Sequence, residues 1–281
     1  MKNVWEIIEQ GNKNAELPAW LNMRHAWSAN DAKRDEGLAY PDNVIQIKNL
    51  DYKKEPDHQK WCEAVELLAS QRTMGEKTSE KDSRIFYYNE PDDASNLDSK
   101  RYASNSLFDI YYPAEPDVQT TYPVIVSVHG GGWFYGDKEL YSYYCCHLAS
   151  KGFAVVNFNY RLAPQNKYPA AIEDVAYIIH YIHENAGMLH LDMSKFYMLG
   201  DSAGAQLTAN YCIIAGNAAY RSKLDFFTYD RLPKAVCLNC GAYEMDKLED
   251  NISDWYMKNE DGSYAVSEEQ RKLFLSQLEY L

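Results

Sequence analysis

The chain has 281 residues, 46% of them hydrophobic and 25% charged, which is ordinary globular usage and excludes a collagen, a coiled coil or a disordered tail. Its 28 Lys and Arg against 41 Asp and Glu give a formal net charge of −13, a mean field that repels phosphate backbones and anionic membranes, so neither nucleic acid nor membrane is an expected partner. No apolar run reaches the roughly 18 residues of a membrane span.

The start, MKNVWEIIEQGNKN, carries no signal-peptide pattern, and the six cysteines form no disulfide framework, so the expectation is a cytoplasmic protein. Cys145 and Cys146 are adjacent, and Cys62 and Cys212 lie alone in helical patterns. Cys237 and Cys240 form a C-x-x-C, but with no second pair and no nearby histidine they read as small apolar residues of a buried strand, not as a metal or redox site.

In chain order, Val4 to Ile8 predicts a short amphipathic helix, and Asp57 to Gln71 a longer one with Trp61, Val65 and Leu68 on one stripe and Asp57 as its cap. Residues 72–83 and 91–104 read as loops. Ile85 to Tyr88, Ser106 to Tyr112 and Pro123 to Val128 are strand patterns, the last a β-branched run suited to a strand buried on both faces. A helix follows over Lys138 to Lys151, stopped by Gly152. Then come a strand over Phe153 to Phe158, a helix over Pro169 to Asn185, a strand over Phe196 to Leu199 and an Ala-rich helix over Ser202 to Ala215. A strand at Ala235 to Asn239 and a last helix from about Ser267 to Leu281 complete the series. Strands alternating with helices predict an α/β fold, a doubly wound and mostly parallel sheet with helices on both faces.

Two motifs carry chemistry. Gly200-Asp201-Ser202-Ala203-Gly204 is a G-x-S-x-G between a strand and a helix pattern, the context of a nucleophile elbow. A serine on so sharp a turn needs neighbours without bulk, and its hydroxyl stands at a helix N-terminus, where developing negative charge is favoured. His129-Gly130-Gly131-Gly132-Trp133 ends the strand at 123–128, and its glycines leave backbone N–H groups open to an oxyanion. Both motifs end strands on the same edge of a parallel sheet, where such folds bind ligands.

Together with NYRLAP at 159–164 and YPAAIEDV at 168–175, these motifs make the chain resemble the α/β-hydrolase superfamily, and within it the hormone-sensitive-lipase-like esterases, over about residues 105 to 245. The resemblance implies Ser202 as nucleophile and the N–H groups of Gly131, Gly132 and Ala203 as oxyanion donors. It makes Tyr160, Arg161 and Asp174 structural, and notes Ala205 where the family has a further glycine. It implies a carboxylic ester hydrolase for short-chain acyl or aryl esters, with a small-molecule substrate and neither cofactor nor metal. An arylformamidase-like amide hydrolase and a non-catalytic ligand binder of the same fold are the alternatives. The implied organisation is a helical, cap-like segment over residues 1–80, a hydrolase core over 81–245, and the start of a cap insertion over 246–281.

In this superfamily the triad runs Ser, then Asp or Glu, then His. The seven histidines, at 25, 58, 129, 147, 180, 183 and 190, all precede Ser202. Glu244 and Asp246 follow the strand at 235–239, but no base follows them. His180 and His183 share a helix face, which reads as a solvated face and not as a metal pair. The expectation is therefore an incomplete hydrolase, lacking the last strands, with 235–239 left as a sheet edge.

Overall fold

The computed structural model describes residues 19–70, 85–89, 96–113 and 120–244. The helix expected at Val4 to Ile8, that expected at Ser267 to Leu281, and the cap insertion expected over 246–281 lie outside them. The strands are β1 (Val44–Asp51), β2 (Ile85–Tyr87), β3 (Leu107–Pro113), β4 (Tyr122–Val128), β5 (Ala154–Phe158), β6 (Leu191–Asp201) and β7 (Ala235–Asn239). The helices are α1 (Ala19–Asp35), α2 (His58–Ser70), α3 (Lys100–Ser104), α4 (Ser142–Ala149), α5 (Ala170–Glu184), α6 (Ala203–Gly216) and α7 (Ala218–Arg221), with a 3-10 turn at Lys138–Tyr141.

Alternation along β4 explains the layers. Val124, Val126 and Val128 enter the larger apolar core, while Ile125 packs on a smaller one on the opposite face. Residues of α5 (Ile172, Val175, Ile178, Ile179, Ile182) and α6 (Leu207, Tyr211, Ile214) fill the larger core. Cys145, Cys146 and Ala149 of α4 meet Tyr111 and Val155 in the smaller one. The strands form one sheet in the order β2-β1-β3-β5-β4-β6-β7. β3 runs antiparallel to both its neighbours, and the remaining pairs are parallel. The doubly wound, mostly parallel sheet with helices on both faces is as expected.

Local signals act where the sequence places them. The Asp57 carboxylate accepts the Lys60 N–H at 3.0 Å and caps α2. Gly152, at φ 102°, ends the turn after α4.

Four differences have physical reasons. β1 lies within the stretch expected to be helical and cap-like. It escapes a hydrophobic reading because Gln46, Lys48 and Asn49 are buried in it beside Ile45, Ile47 and Leu50. α1 escapes because its buried face includes Arg24, which is fully buried. α3 falls in an expected loop and is started by Ser99, whose hydroxyl accepts the Tyr102 N–H at 3.0 Å. β6 begins earlier than expected, because a register shift between Pro123 and Val124 lets Leu191 and Asp192 pair with Tyr122 and Pro123.

Among the described residues β7 pairs only with β6 and ends the sheet. Val236 is 41% exposed and Leu238 36%, and both Cys237 and Cys240 are exposed, so the C-x-x-C sits on an open edge and not on the buried strand its apolar run implies. No helix of the described residues is long and apolar enough to cross a membrane.

Candidate active site

The strand β6 passes directly into α6 through Ser202, which has φ 50° and ψ −118°. A left-handed φ is costly for a residue with a Cβ and persists only where the surroundings hold it. Here the Ser202 N–H is tied to the Asn239 carbonyl at the end of β7 (2.7 Å), and its carbonyl accepts the N–H groups of Ala205 (3.0 Å) and Gln206 (3.2 Å). The side chain stands partly exposed at the N-terminus of α6.

The flanking glycines are there for space. A Cβ on Gly200 would lie 2.4 Å from the Gly204 carbonyl oxygen, and one on Gly204 would lie 2.0 Å from the Val128 carbonyl oxygen and 2.5 Å from that of His129. The start of α6 therefore rests directly on the backbone where β4 becomes the triple-glycine loop. The register sets this contact, since Val128 of β4 pairs with Gly200 of β6.

The loop itself follows a left-handed path that favours glycine, and at Gly131 excludes any side chain. Gly131 has φ 122° and a Cβ there would lie 1.9 Å from the Tyr135 carbonyl oxygen. Gly132 (φ 59°) and Trp133 (φ 63°) continue the left-handed path. The Gly131 carbonyl accepts the N–H groups of Phe134 (3.3 Å) and Tyr135 (2.9 Å), and the Trp133 indole N–H reaches Gln206 Oε1 on the first turn of α6 (3.2 Å). Tyr141 donates to Asp201 Oδ2 at 2.6 Å, tying the segment after the loop to the residue before Ser202. Among the described residues, no hydrogen bond occupies the N–H groups of Gly131, Gly132 or Ala203. Two motifs 70 residues apart are thus in contact, and the four residues predicted from sequence fall within them.

His129 braces this turn. Its ring is fully buried, stacks on Tyr160 with centroids 4.1 Å apart, and donates Nδ1–H to the Gly130 carbonyl at 2.7 Å. Tyr160 in turn donates its hydroxyl to the His129 carbonyl at 2.9 Å. Burial pushes the imidazole down from 6.5 to about 4, outweighing the hydrogen bond to Gly130. A histidine depressed in the folded state contributes stability that is complete above its unfolded pKa and is lost as pH falls toward the folded one. Wild type is accordingly expected to lose about 2 kcal/mol more than His129→Gln between pH 7 and pH 5 in urea unfolding. Equal losses in the two proteins would contradict this.

Arg161 and Asp174 act as scaffold. Asp174 is fully buried and accepts both the backbone N–H and Nε of Arg161 at 2.8 Å, which anchors α5 beneath the 159–164 segment. The His180–His183 face is partly exposed, as expected, and partly covered by neighbours. Tyr229 covers both rings, with Phe227 edge-on to His180, and Arg231 donates to His183 Nε2 at 2.9 Å. Among the described residues no group of three or more His, Cys, Asp or Glu could hold a metal ion.

A cleft of about 360 Å³ opens beside the elbow at the ends of β4, β6 and β7, lined by Ser127, Leu140, Tyr141, Tyr144, Asp201 and Asn239 among others. Sequence reasoning names none of these as site residues except by their proximity to Ser202.

A serine elbow on a mostly parallel sheet, facing a glycine loop from the adjacent strand, defines the α/β-hydrolase fold. Esterase B from Lactobacillus rhamnosis superposes over 92% of this chain and 65% of its own, with a TM-score of 0.60 at 23% identity, a likeness of fold. The profile of the BD-FAE family matches residues 108–272, more than half of the chain, and the chain belongs to that family. Carboxylesterase NlhH of Mycobacterium tuberculosis is 38% identical over 101 residues, covering 36% of this chain and 31% of that protein. Ethyl acetate hydrolase of Pseudomonas putida is 30% identical over 137 residues, covering 48% of this chain and 42% of that protein. The chain spans between about a third and two fifths of the length of these curated relatives.

Proposed function

We propose that the protein is a serine carboxylic ester hydrolase for short-chain acyl or aryl esters. Ser202 Oγ attacks the acyl carbonyl, and the N–H groups of Gly131, Gly132 and Ala203 take the tetrahedral oxyanion. Collapse expels the alcohol with its proton and leaves an acyl-serine, which water hydrolyses to the acid and free Ser202. The observation that carries this reading is the strained backbone of Ser202 between two glycines, one whose added Cβ would strike the start of α6 (Gly200) and one whose added Cβ would strike the base of the triple-glycine loop (Gly204). The names of the relatives, a carboxylesterase and an ethyl acetate hydrolase, support the ester class and a short acyl group. A cytoplasmic location is part of the reading, supported by the six unpaired cysteines.

None of the seven histidines follows Ser202, and among the described residues the imidazole hydrogen bonds, of His129 and His183, go to Gly130, Tyr229 and Arg231 and not to the Ser202 hydroxyl. Hydrolysis by these 281 residues is therefore expected to retain only what binding and oxyanion donors supply, about 10³–10⁴ over water by analogy with triad knock-outs. That residual rate does not need the serine hydroxyl, so the test is the acyl-enzyme itself, sought by mass spectrometry after the purified chain is incubated with an aryl acetate, with Ser202→Ala beside it. An acetyl group on Ser202, absent from Ser202→Ala, is expected; a chain left unacetylated at Ser202 after prolonged incubation would overturn the assignment.

A further inference from the structure

The triple-glycine loop is gripped from a side that the family match does not include. Arg24, Trp27 and Asp31 lie three and four residues apart on one face of α1, well before residue 108 where that match begins. All three reach residues 131–136.

Arg24 makes the central contacts. Its Nε donates to the Phe134 carbonyl at 2.5 Å, one terminal nitrogen to the Leu97 carbonyl at 2.5 Å, and the other to the Ala163 carbonyl at 2.8 Å and to Gln165 Oε1 at 2.9 Å. One buried guanidinium thus joins the loop to two separate segments, using the planar fork that lysine lacks. The same guanidinium lies 5.2 Å from the ring centre of Tyr102, whose hydroxyl accepts the Gly136 N–H at 2.9 Å. The Trp27 indole packs on Phe134 (4.9 Å between centroids) and edge-on to Tyr135 (5.6 Å), and a Cβ on Gly132 would lie 3.4 Å from it. Asp31 Oδ2 accepts the Tyr135 hydroxyl at 2.7 Å.

These contacts converge where an error would matter most. The N–H groups of Gly131 and Gly132 have only the left-handed backbone path to aim them, and that path has no β-sheet partner. We propose that α1 is a positioning element for the triple-glycine loop, with Arg24 its principal positioning residue and Trp27 and Asp31 in support. The catalytic consequence rests on reading the loop as the oxyanion site; the positioning itself does not.

The experiment uses the 281-residue chain, with Arg24→Met, Arg24→Lys and the milder Tyr135→Phe. Amide hydrogen exchange at Phe134, Tyr135 and Gly136 is expected to quicken about tenfold in Arg24→Met and measurably in Tyr135→Phe, while β4, β5 and β6 keep their protection. Phosphonylation of Ser202 by an activated fluorophosphonate is expected to fall about tenfold in maximal rate, with its half-saturating concentration unchanged, and Arg24→Lys is not expected to restore it. Loop amides that stay protected in Tyr135→Phe, or that quicken in Arg24→Met only in step with the whole sheet, would overturn the proposal. If wild-type Ser202 takes no phosphonate, the ester-hydrolase reading fails, and the loop amides still decide whether α1 positions the loop.

Discussion

Gly204→Ala is expected to destabilise the chain by at least about 3 kcal/mol, because the added methyl has nowhere to go. Its Cβ would lie 2.0 Å from the carbonyl oxygen of Val128 and 2.5 Å from that of His129. Both obstacles are backbone, so relief requires α6 to lift off the sheet or β4 to leave its register with β6. Either movement displaces Ser202, the Trp133–Gln206 hydrogen bond and the turn braced by His129 together. Gly187→Ala is the control: a Cβ there meets nothing within 4 Å, and its effect should stay within about 1 kcal/mol. Urea unfolding of the two variants beside wild type decides the matter. A Gly204→Ala protein of wild-type stability would mean that the elbow does not rest on the loop.

Asp109→Ala should cost a similar amount, about 3–5 kcal/mol, for an electrostatic reason. The Asp109 side chain is fully buried in β3, with the Lys138 ammonium 2.9 Å away, the Lys48 ammonium 3.5 Å away and the Tyr111 hydroxyl donating at 2.9 Å. Glu139, 46% exposed, touches both lysines at 2.6 Å. Burial alone would lower the Lys48 ammonium, yet the carboxylates of Asp109 and Glu139 hold it well above its ordinary value. Without Asp109 two buried cations face one half-exposed carboxylate. The double variant Asp109→Ala, Lys138→Met is expected to recover part of the loss, since it removes one stranded charge along with its partner. A single-variant cost below about 1 kcal/mol would show that the cluster is not a unit. This cluster also adjoins the far end of the triple-glycine loop, because Lys138 opens the 3-10 turn that follows it and its N–H donates to Asn159 Oδ1 at 2.6 Å.

The same cluster shows what was legible in the sequence. Strands buried on two apolar faces, β4 and β5, announce themselves as β-branched runs, α5 by the proline that opens it and the glycine beyond its end, and α6 by an Ala-rich apolar run ended by glycine. The elbow and the glycine loop are visible because backbone geometry there tolerates so few residue types. β1 is invisible because one of its buried faces is polar, with Lys48 paired to residues 61 and 91 positions further on. α1 is invisible for a related reason: Arg24 is satisfied by carbonyls from segments 73 to 139 residues away. Period and propensity record local preference, while a buried charge is stabilised by partners whose proximity only the fold creates. The exposed β7 teaches the converse, since an apolar run states what a strand would pack against and not what the described residues provide.

The central claim is that Ser202 is a nucleophile displayed at a strained turn beside backbone N–H groups that no hydrogen bond occupies among the described residues. Treating the folded chain with an activated fluorophosphonate and mapping the adduct by peptide mass spectrometry tests it most directly. A single phosphonyl group on Ser202, absent from Ser202→Ala, and acquired far more slowly than in a hydrolase whose base is in place, is the predicted result. A folded chain that leaves Ser202 unmodified after prolonged exposure, or that is modified at another residue instead, would contradict the account.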